Sequence, residues 1–193
     1  MPPKPKILAF AGSARRDSLN KKLVRIAAEG ASLAGGQVNV VDLRDYPMPL
    51  FDQEYEAEHG LPDAARKFKD LMLAHDGFLI ASPEHNSTIT ALLKNTIDWT
   101  SRHVEGEPPL ACFTGKVAVV MSASPGGLGG LRGLVHLRAI LGNLGTLVLP
   151  ATKSISHAHD AFADDGALKD HAAQSAVEQL GADLVGMLAK MLA

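Results

Sequence analysis

Cysteine is almost absent from this chain. Cys112 stands alone among 193 residues, which excludes an internal disulfide framework and any cysteine-based zinc cluster, and suits a reducing compartment. A surplus of charge is lacking too: Lys and Arg number 19, Asp and Glu 21, and the formal net charge is −2. A general nucleic-acid binder carries a basic excess, so nucleic acid is not an expected partner. Nor does any apolar run approach the ~18 residues of a membrane span, so no membrane is expected either. Lys4 and Lys6 precede the apolar stretch Ile7–Ala11, but that stretch is shorter than the ~7–15 residues of a secretory signal, and Arg15 and Arg16 follow it. The expected location is cytoplasmic. Disorder is excluded by an ordinary globular balance of 46% hydrophobic and 21% charged residues. At roughly 100–200 residues per domain, residues 1–193 are expected to form a single domain with a sizeable core.

What the chain does have is alternation. Ile7–Ala11, Val38–Val41, Gly77–Ala81, Val117–Met121 and Thr146–Leu149 are short apolar runs, continuous as strands buried on both faces should be. Between them the spacing predicts helices over Leu19–Leu33, Asp63–Ala74, Ile89–Arg102 and Leu131–Leu144, with a last one over Ala167–Leu192. Such alternation predicts an α/β fold with a parallel sheet and helices on both faces. Leu43–Leu61, with Tyr46-Pro-Met-Pro and an acidic stretch, reads as a long loop. Ala151–Gly166 reads as a polar connection containing His157, His159 and Asp160.

In an open α/β sheet, ligands bind beyond the carboxyl ends of the strands, where strand order reverses. Three segments follow strands there. Gly12-Ser-Ala-Arg-Arg-Asp-Ser-Leu-Asn20 runs from strand one into a helix. Its small residues admit close backbone approach, and a helix N-terminus offers unpaired N–H groups to an anion. Ser13, Ser18 and Asn20 add neutral hydrogen-bonding groups, and Arg15 or Arg16 a charged contact, a combination suited to a phosphate monoester. The alternative is a helix cap at Asp17 or Ser18. Ser82-Pro-Glu-His-Asn-Ser-Thr88 follows strand three as a run of turn residues that presents N–H and C=O groups to a flat heterocycle edge, or simply a loop with Ser87 or Thr88 capping the next helix. Ser122-Ala-Ser-Pro-Gly-Gly-Leu-Gly-Gly130 follows strand four, with so little steric bulk that a flat ligand can press against backbone, or is simply a flexible crossover.

Together these residues resemble the NADPH-dependent FMN reductase family, flavodoxin-like proteins that include quinone, chromate and azo-dye reductases. The likeness rests on Gly12-Ser-x-Arg15-x-x-Ser18-x-Asn20, on Ser82-Pro-Glu-x-Asn86 continuing to Leu93-Lys-Asn-x-Ile97-Asp-Trp99-x-Ser-Arg102, and on Ser124-Pro-Gly extending through Gly130. Phe162-x-x-Asp-Gly166 fits the family's connection into the last helix, so the likeness spans roughly Lys6 to Leu180. It implies a flavodoxin-like three-layer sandwich with five parallel strands in the order 2-1-3-4-5. It also implies a non-covalent FMN at the switch between strands one and three.

By the same resemblance, Ser13, Arg15, Ser18 and Asn20 hold the phosphate. Pro83, Glu84, His85, Asn86 and Ser87 border the isoalloxazine ring largely through backbone, and Ser124, Pro125, Gly126 and Gly127 form the opposite side. His85 stands where the family usually has tyrosine; backbone contacts survive the change, while contacts of the aromatic ring with substrate or a neighbouring subunit do not. The implied activity is transfer of hydride from NADPH or NADH through FMN to a small acceptor such as a quinone, azo dye, chromate or free flavin, in a homodimer or homotetramer. No side chain is assigned as catalytic and none as a metal ligand. Arg16, Arg44 and Arg102 are candidates for the NADPH 2′-phosphate. Two alternatives share the fold: an electron carrier of the flavodoxin type, and a flavin reductase that releases reduced FMN to a monooxygenase. Carriers of that type are typically strongly acidic, with a phosphate loop of neutral hydroxyl residues, so the net charge of −2 and the Arg15–Arg16 pair favour the reductase.

Overall fold

A computed structural model describes residues 3–193. Strands β1 (Lys6–Ala11), β2 (Gln37–Asp42), β3 (Gly77–Ala81), β4 (Val117–Ala123) and β5 (Leu147–Val148) lie in the order β2-β1-β3-β4-β5, all parallel. This is the expected order. Side chains alternate across the pleat, so each inner strand supplies both faces. Ile7 and Ala9 of β1, with Leu79, Val117 and Val119, pack beneath helices α1 (Leu19–Leu33) and α7 (His171–Met191). Leu8 and Phe10, with Phe78, Ile80, Ala118 and Val120, pack beneath the helices of the other face. Those are α3 (Asp63–Leu73), α4 (Ala91–Thr100) and α5 (Leu131–Asn143).

Several expectations need correction. Leu43–Leu61 is not simply a loop: it contains a 3-10 turn, Leu43–Asp45, and helix α2, Gln53–His59. Helix α2 starts where Asp52 accepts hydrogen bonds from the Glu54 and Tyr55 amides. It buries none of its residues, so it has no apolar stripe for periodicity to find. The segment is held down from beneath: the Asn95 side chain accepts from Phe51 N at 2.8 Å and donates to Pro49 O at 2.9 Å, and Trp99 Nε1 donates to the same carbonyl at 2.7 Å. Trp99 is fully buried here, so its role is packing.

The fifth strand is also shorter than Thr146–Leu149 and is interrupted. Pro150, which has no N–H, breaks it after Val148. The chain rejoins β4 as β6 (Lys153–Ile155), with Ser154 in register with Ser122 and Ile155 with Ala123. Thus the polar segment Ala151–Gly166 contains a strand and a short helix, α6 (Ala158–Ala161). The helix expected from Ile89 begins at Ala91, and the one expected from Ala167 begins at His171, where Asp170 accepts from the Ala172 and Ala173 amides.

Candidate functional site

At the carboxyl edge of the sheet, Ser13, Arg15, Ser18, Leu19 and Asn20 of the first loop face Pro83, Glu84 and His85 of the second, and Ala123, Ser124 and Pro125 of the third. They enclose an open cleft of about 150 Å³. Larger depressions exist, of about 260 Å³ beside the Lys21–Asp42 ion pair and about 320 Å³ between β6 and the start of α7. Neither lies where the strand order reverses, so topology rather than volume selects the cleft.

The first loop leaves β1 at Gly12, whose N–H still donates to Ala81 O. Ser18 is the N-terminal cap residue of α1, but its hydroxyl makes no capping bond although the residue is only 4% exposed. Capping therefore does not account for it. No acidic side chain stands in the first turn of α1, so its positive dipole end is not neutralised from within. Arg15 is exposed and donates from Nη2 to Asp17 O at 2.9 Å, which holds its guanidinium beside the loop.

Asn20 is used differently. Its Nδ2 donates to Ala123 O at 2.8 Å and its Oδ1 accepts from Ala123 N at 2.9 Å, and the residue is 3% exposed. Both ends of the amide are spent on the backbone of β4.

The second loop is a tight turn. His85 N donates to Thr88 O at 2.9 Å and Thr88 N to His85 O at 3.0 Å, while Asn86 and Ser87 both have positive φ, 49° and 66°. That is the geometry of a two-residue hairpin turn of type I′. For Ser87 the left-handed region is costly, and such strain persists where surroundings impose it. The cap of α4 is Thr90, rather than Ser87 or Thr88: its Oγ1 accepts from Leu93 N and donates to Gly12 O at 2.7 Å.

Glu84 turns away from the turn's tip to meet α5. Its Oε1 accepts from Arg132 Nε and Nη2 at 3.0 and 2.7 Å, and its Oε2 from Gly133 N at 3.0 Å. Burial raises its pKa, but the Gly133 N–H and the Arg132 guanidinium outweigh that and hold it below the ordinary carboxylate value.

The third loop divides its glycines. Gly130 has φ +89°, and a Cβ there would lie 1.9 Å from Ser122 Oγ, so the fold itself demands glycine. Gly126 and Gly127 are exposed, and a Cβ would meet only Ser124 Oγ at 3.8 Å in the first case and nothing in the second. Nothing among the described residues explains their lack of side chains, which leaves room for a flat group laid against the loop. Together with the unspent Ser18 hydroxyl and the open end of α1, the residues present fit a flavin phosphate.

Of the expected site residues, nine line the cleft together: Ser13, Arg15, Ser18, Asn20, Pro83, Glu84, His85, Ser124 and Pro125. Asn86 and Ser87 lie at the turn, and Gly126 and Gly127 just beyond Pro125. Of the arginines proposed for a 2′-phosphate, Arg102 is engaged elsewhere, with Nε 2.8 Å from Glu56 Oε1 and its guanidinium over Phe51. His159 pairs with Asp160 on the exposed surface. Cys112 is fully buried, its thiol donating to Thr100 O and pushed up to about 11 by burial. Sequence reasoning missed Thr90 and Arg132 as parts of the site's frame. A hydroxyl before the apolar run of α4 is a recognisable cap signal for Thr90; nothing local in the sequence couples Arg132 to Glu84.

Comparison with known proteins identifies the family. Residues 5–160 match the model of the NADPH-dependent FMN reductase family. An NAD(P)H-dependent FMN reductase of Pseudomonas aeruginosa is 35% identical over 177 residues, covering 90% of each chain. A probable NADPH:quinone oxidoreductase of rice is 39% identical over 137 residues, which span 70% of this chain but only 63% of that protein. Among solved structures, FerB, a flavoenzyme NAD(P)H:(acceptor) oxidoreductase of Paracoccus denitrificans, superposes with a TM-score of 0.80 at 25% identity, covering 96% of this chain and 98% of its own. An archaeal flavodoxin shares the fold alone, at a TM-score of 0.61 and 12% identity. With a family model matched across all three loops, and the same loops converging on one cleft, this chain belongs to the NADPH-dependent FMN reductase family.

Proposed function

We propose that this chain is an NAD(P)H-dependent oxidoreductase that holds FMN non-covalently in the three-loop cleft and reduces a small acceptor, a quinone being the class its relatives favour. NADPH is the expected donor, as in the family's name. The observation that carries the reading is the combination at the cleft of the unspent Ser18 hydroxyl and α1 amides beside the Arg15 guanidinium on one side, with the unexplained Gly126 and Gly127 on the other.

Ser13, Arg15 and Ser18 would hold the phosphate, with the N-terminal amides of α1 facing it. Pro83–Ser87 would border the ring on one side and Ser124–Gly127 on the other. A bound flavin supplies hydride acceptance from a nicotinamide and its delivery to a second substrate. What the chain contributes is position: a rigid turn at Asn86-Ser87, a wall free of side chains at Gly126-Gly127, and a fixed positive charge at Arg15. No side chain is needed as nucleophile, so none is assigned as catalytic. The acidic surplus expected of a dedicated electron carrier is missing, at a net charge of −2.

The reading is tested by loading the purified protein with FMN and desalting it. A retained visible flavin band at one FMN per chain is expected, and loss of that band in the double variant Arg15→Ala, Ser18→Ala. A parent that retains no flavin at any loading concentration contradicts the proposal.

A further inference from the structure

The three loops are joined pairwise by side chains that end on backbone. Thr90 ties the second loop's helix to Gly12 O of the first. Glu84 ties the second loop to Gly133 N, at the start of the helix that follows the third. Asn20 ties the first loop's helix to Ala123, where the third loop begins.

The last tie has a particular origin. Strand β3 ends at Ala81, and Ser82 N makes its last ladder contact, to Met121 O. Pro83 then carries the chain away to form the second loop. Along a strand, residues two apart face the same neighbour, so the N–H and C=O of Ala123 face the place β3 has left. A primary amide presents a donor and an acceptor side by side, as a peptide does. The side chain of Asn20 fills the position of the missing strand, from a residue 103 positions away in sequence.

We propose that Asn20 is a positioning residue that sets the separation of the phosphate-side and ring-side walls, rather than a ligand of the phosphate. This rests on the flavin reading above. Holding both walls in place before binding spares the ligand the cost of ordering them, so the tie acts on every flavin, with or without a phosphate. It also restrains the first loop in the flavin-free protein, where Arg15 and Arg16 are exposed.

The experiment compares Asn20→Ala with the parent in two ways. Fluorescence titrations give affinities for FMN and for riboflavin, which lacks the phosphate; trypsin digestion without flavin gives the cleavage rate at Arg15 and Arg16. The expected result is an equal loss of affinity for both flavins, about tenfold, with faster cleavage of the flavin-free variant. Arg15→Ala, as the contrasting case, weakens FMN alone. Loss of FMN affinity alone in Asn20→Ala, with cleavage unchanged, makes Asn20 a phosphate ligand and overturns the proposal, as do unchanged values throughout. Should Asn20→Ala not fold, Asn20→Ser is small enough to admit water to the freed Ala123 groups, and the same comparisons apply. If the parent binds neither flavin, the flavin reading fails, and the cleavage rates alone decide whether Asn20 restrains the first loop.

Discussion

Arg15 lines the cleft with its guanidinium held by Asp17 O, so it can meet an anion with little reordering. A charge-assisted hydrogen bond of this kind is worth about 1.5–3 kcal/mol. Arg15→Ala is expected to weaken FMN binding by about that amount in a fluorescence titration; unchanged affinity removes Arg15 from the site. The glycines separate packing from function at the same scale. Gly130→Ala combines a positive φ with a Cβ 1.9 Å from Ser122 Oγ, and is expected to lower thermal stability by several kcal/mol in a melt. Gly127→Ala meets nothing within 4 Å, so its stability should stay within about 0.5 kcal/mol of the parent while flavin affinity falls. Equal loss of stability in the two variants contradicts this division.

Among the elements, the strands with uniform burial were the most legible. Every residue of β3 and β4 is buried, and their apolar runs are visible in sequence almost to the residue. Elements that bury little were not. Helix α2 has no apolar face, and β6 is a three-residue edge strand with two polar positions inside a polar stretch. The three loops at the carboxyl edge were legible as loops because glycine, proline and serine follow each strand directly. Which side chains within them face a ligand was not legible, because that depends on partners distant in the chain. Asn20 reads locally as a ligand-type residue, yet both polar atoms of its side chain are spent on Ala123, and the Glu84 carboxylate is spent on Arg132 and Gly133. The Glu84 tie carries a pH dependence. Its folded pKa lies below the ordinary value of 4.5, so its contribution is complete above that pH and is lost as pH falls through the depressed value. Glu84→Gln, which has no charge to lose, should differ most from the parent in urea midpoint above pH 4.5 and converge on it below. A difference independent of pH contradicts the assignment.

Across the whole molecule, two apolar layers grip a sheet whose inner strands contribute to both, and the carboxyl edge of that sheet is left to the three loops. Rigid strands fix where each loop starts, while ties from Thr90, Glu84 and Asn20 fix the loops to one another. Among the described residues no helix is long and apolar enough to cross a membrane. A site preorganised in this way needs no reactive side chain to bring a nicotinamide and then an acceptor to a bound flavin. On the proposed function, the cleft therefore supports both halves of an NAD(P)H-to-acceptor cycle. The most direct measurement is the visible absorbance of the FMN-loaded protein under anaerobic conditions, first with NADPH and then with a benzoquinone. Bleaching by the first and recovery of the flavin band with the second are expected; a band that NADPH leaves unchanged contradicts the proposed function.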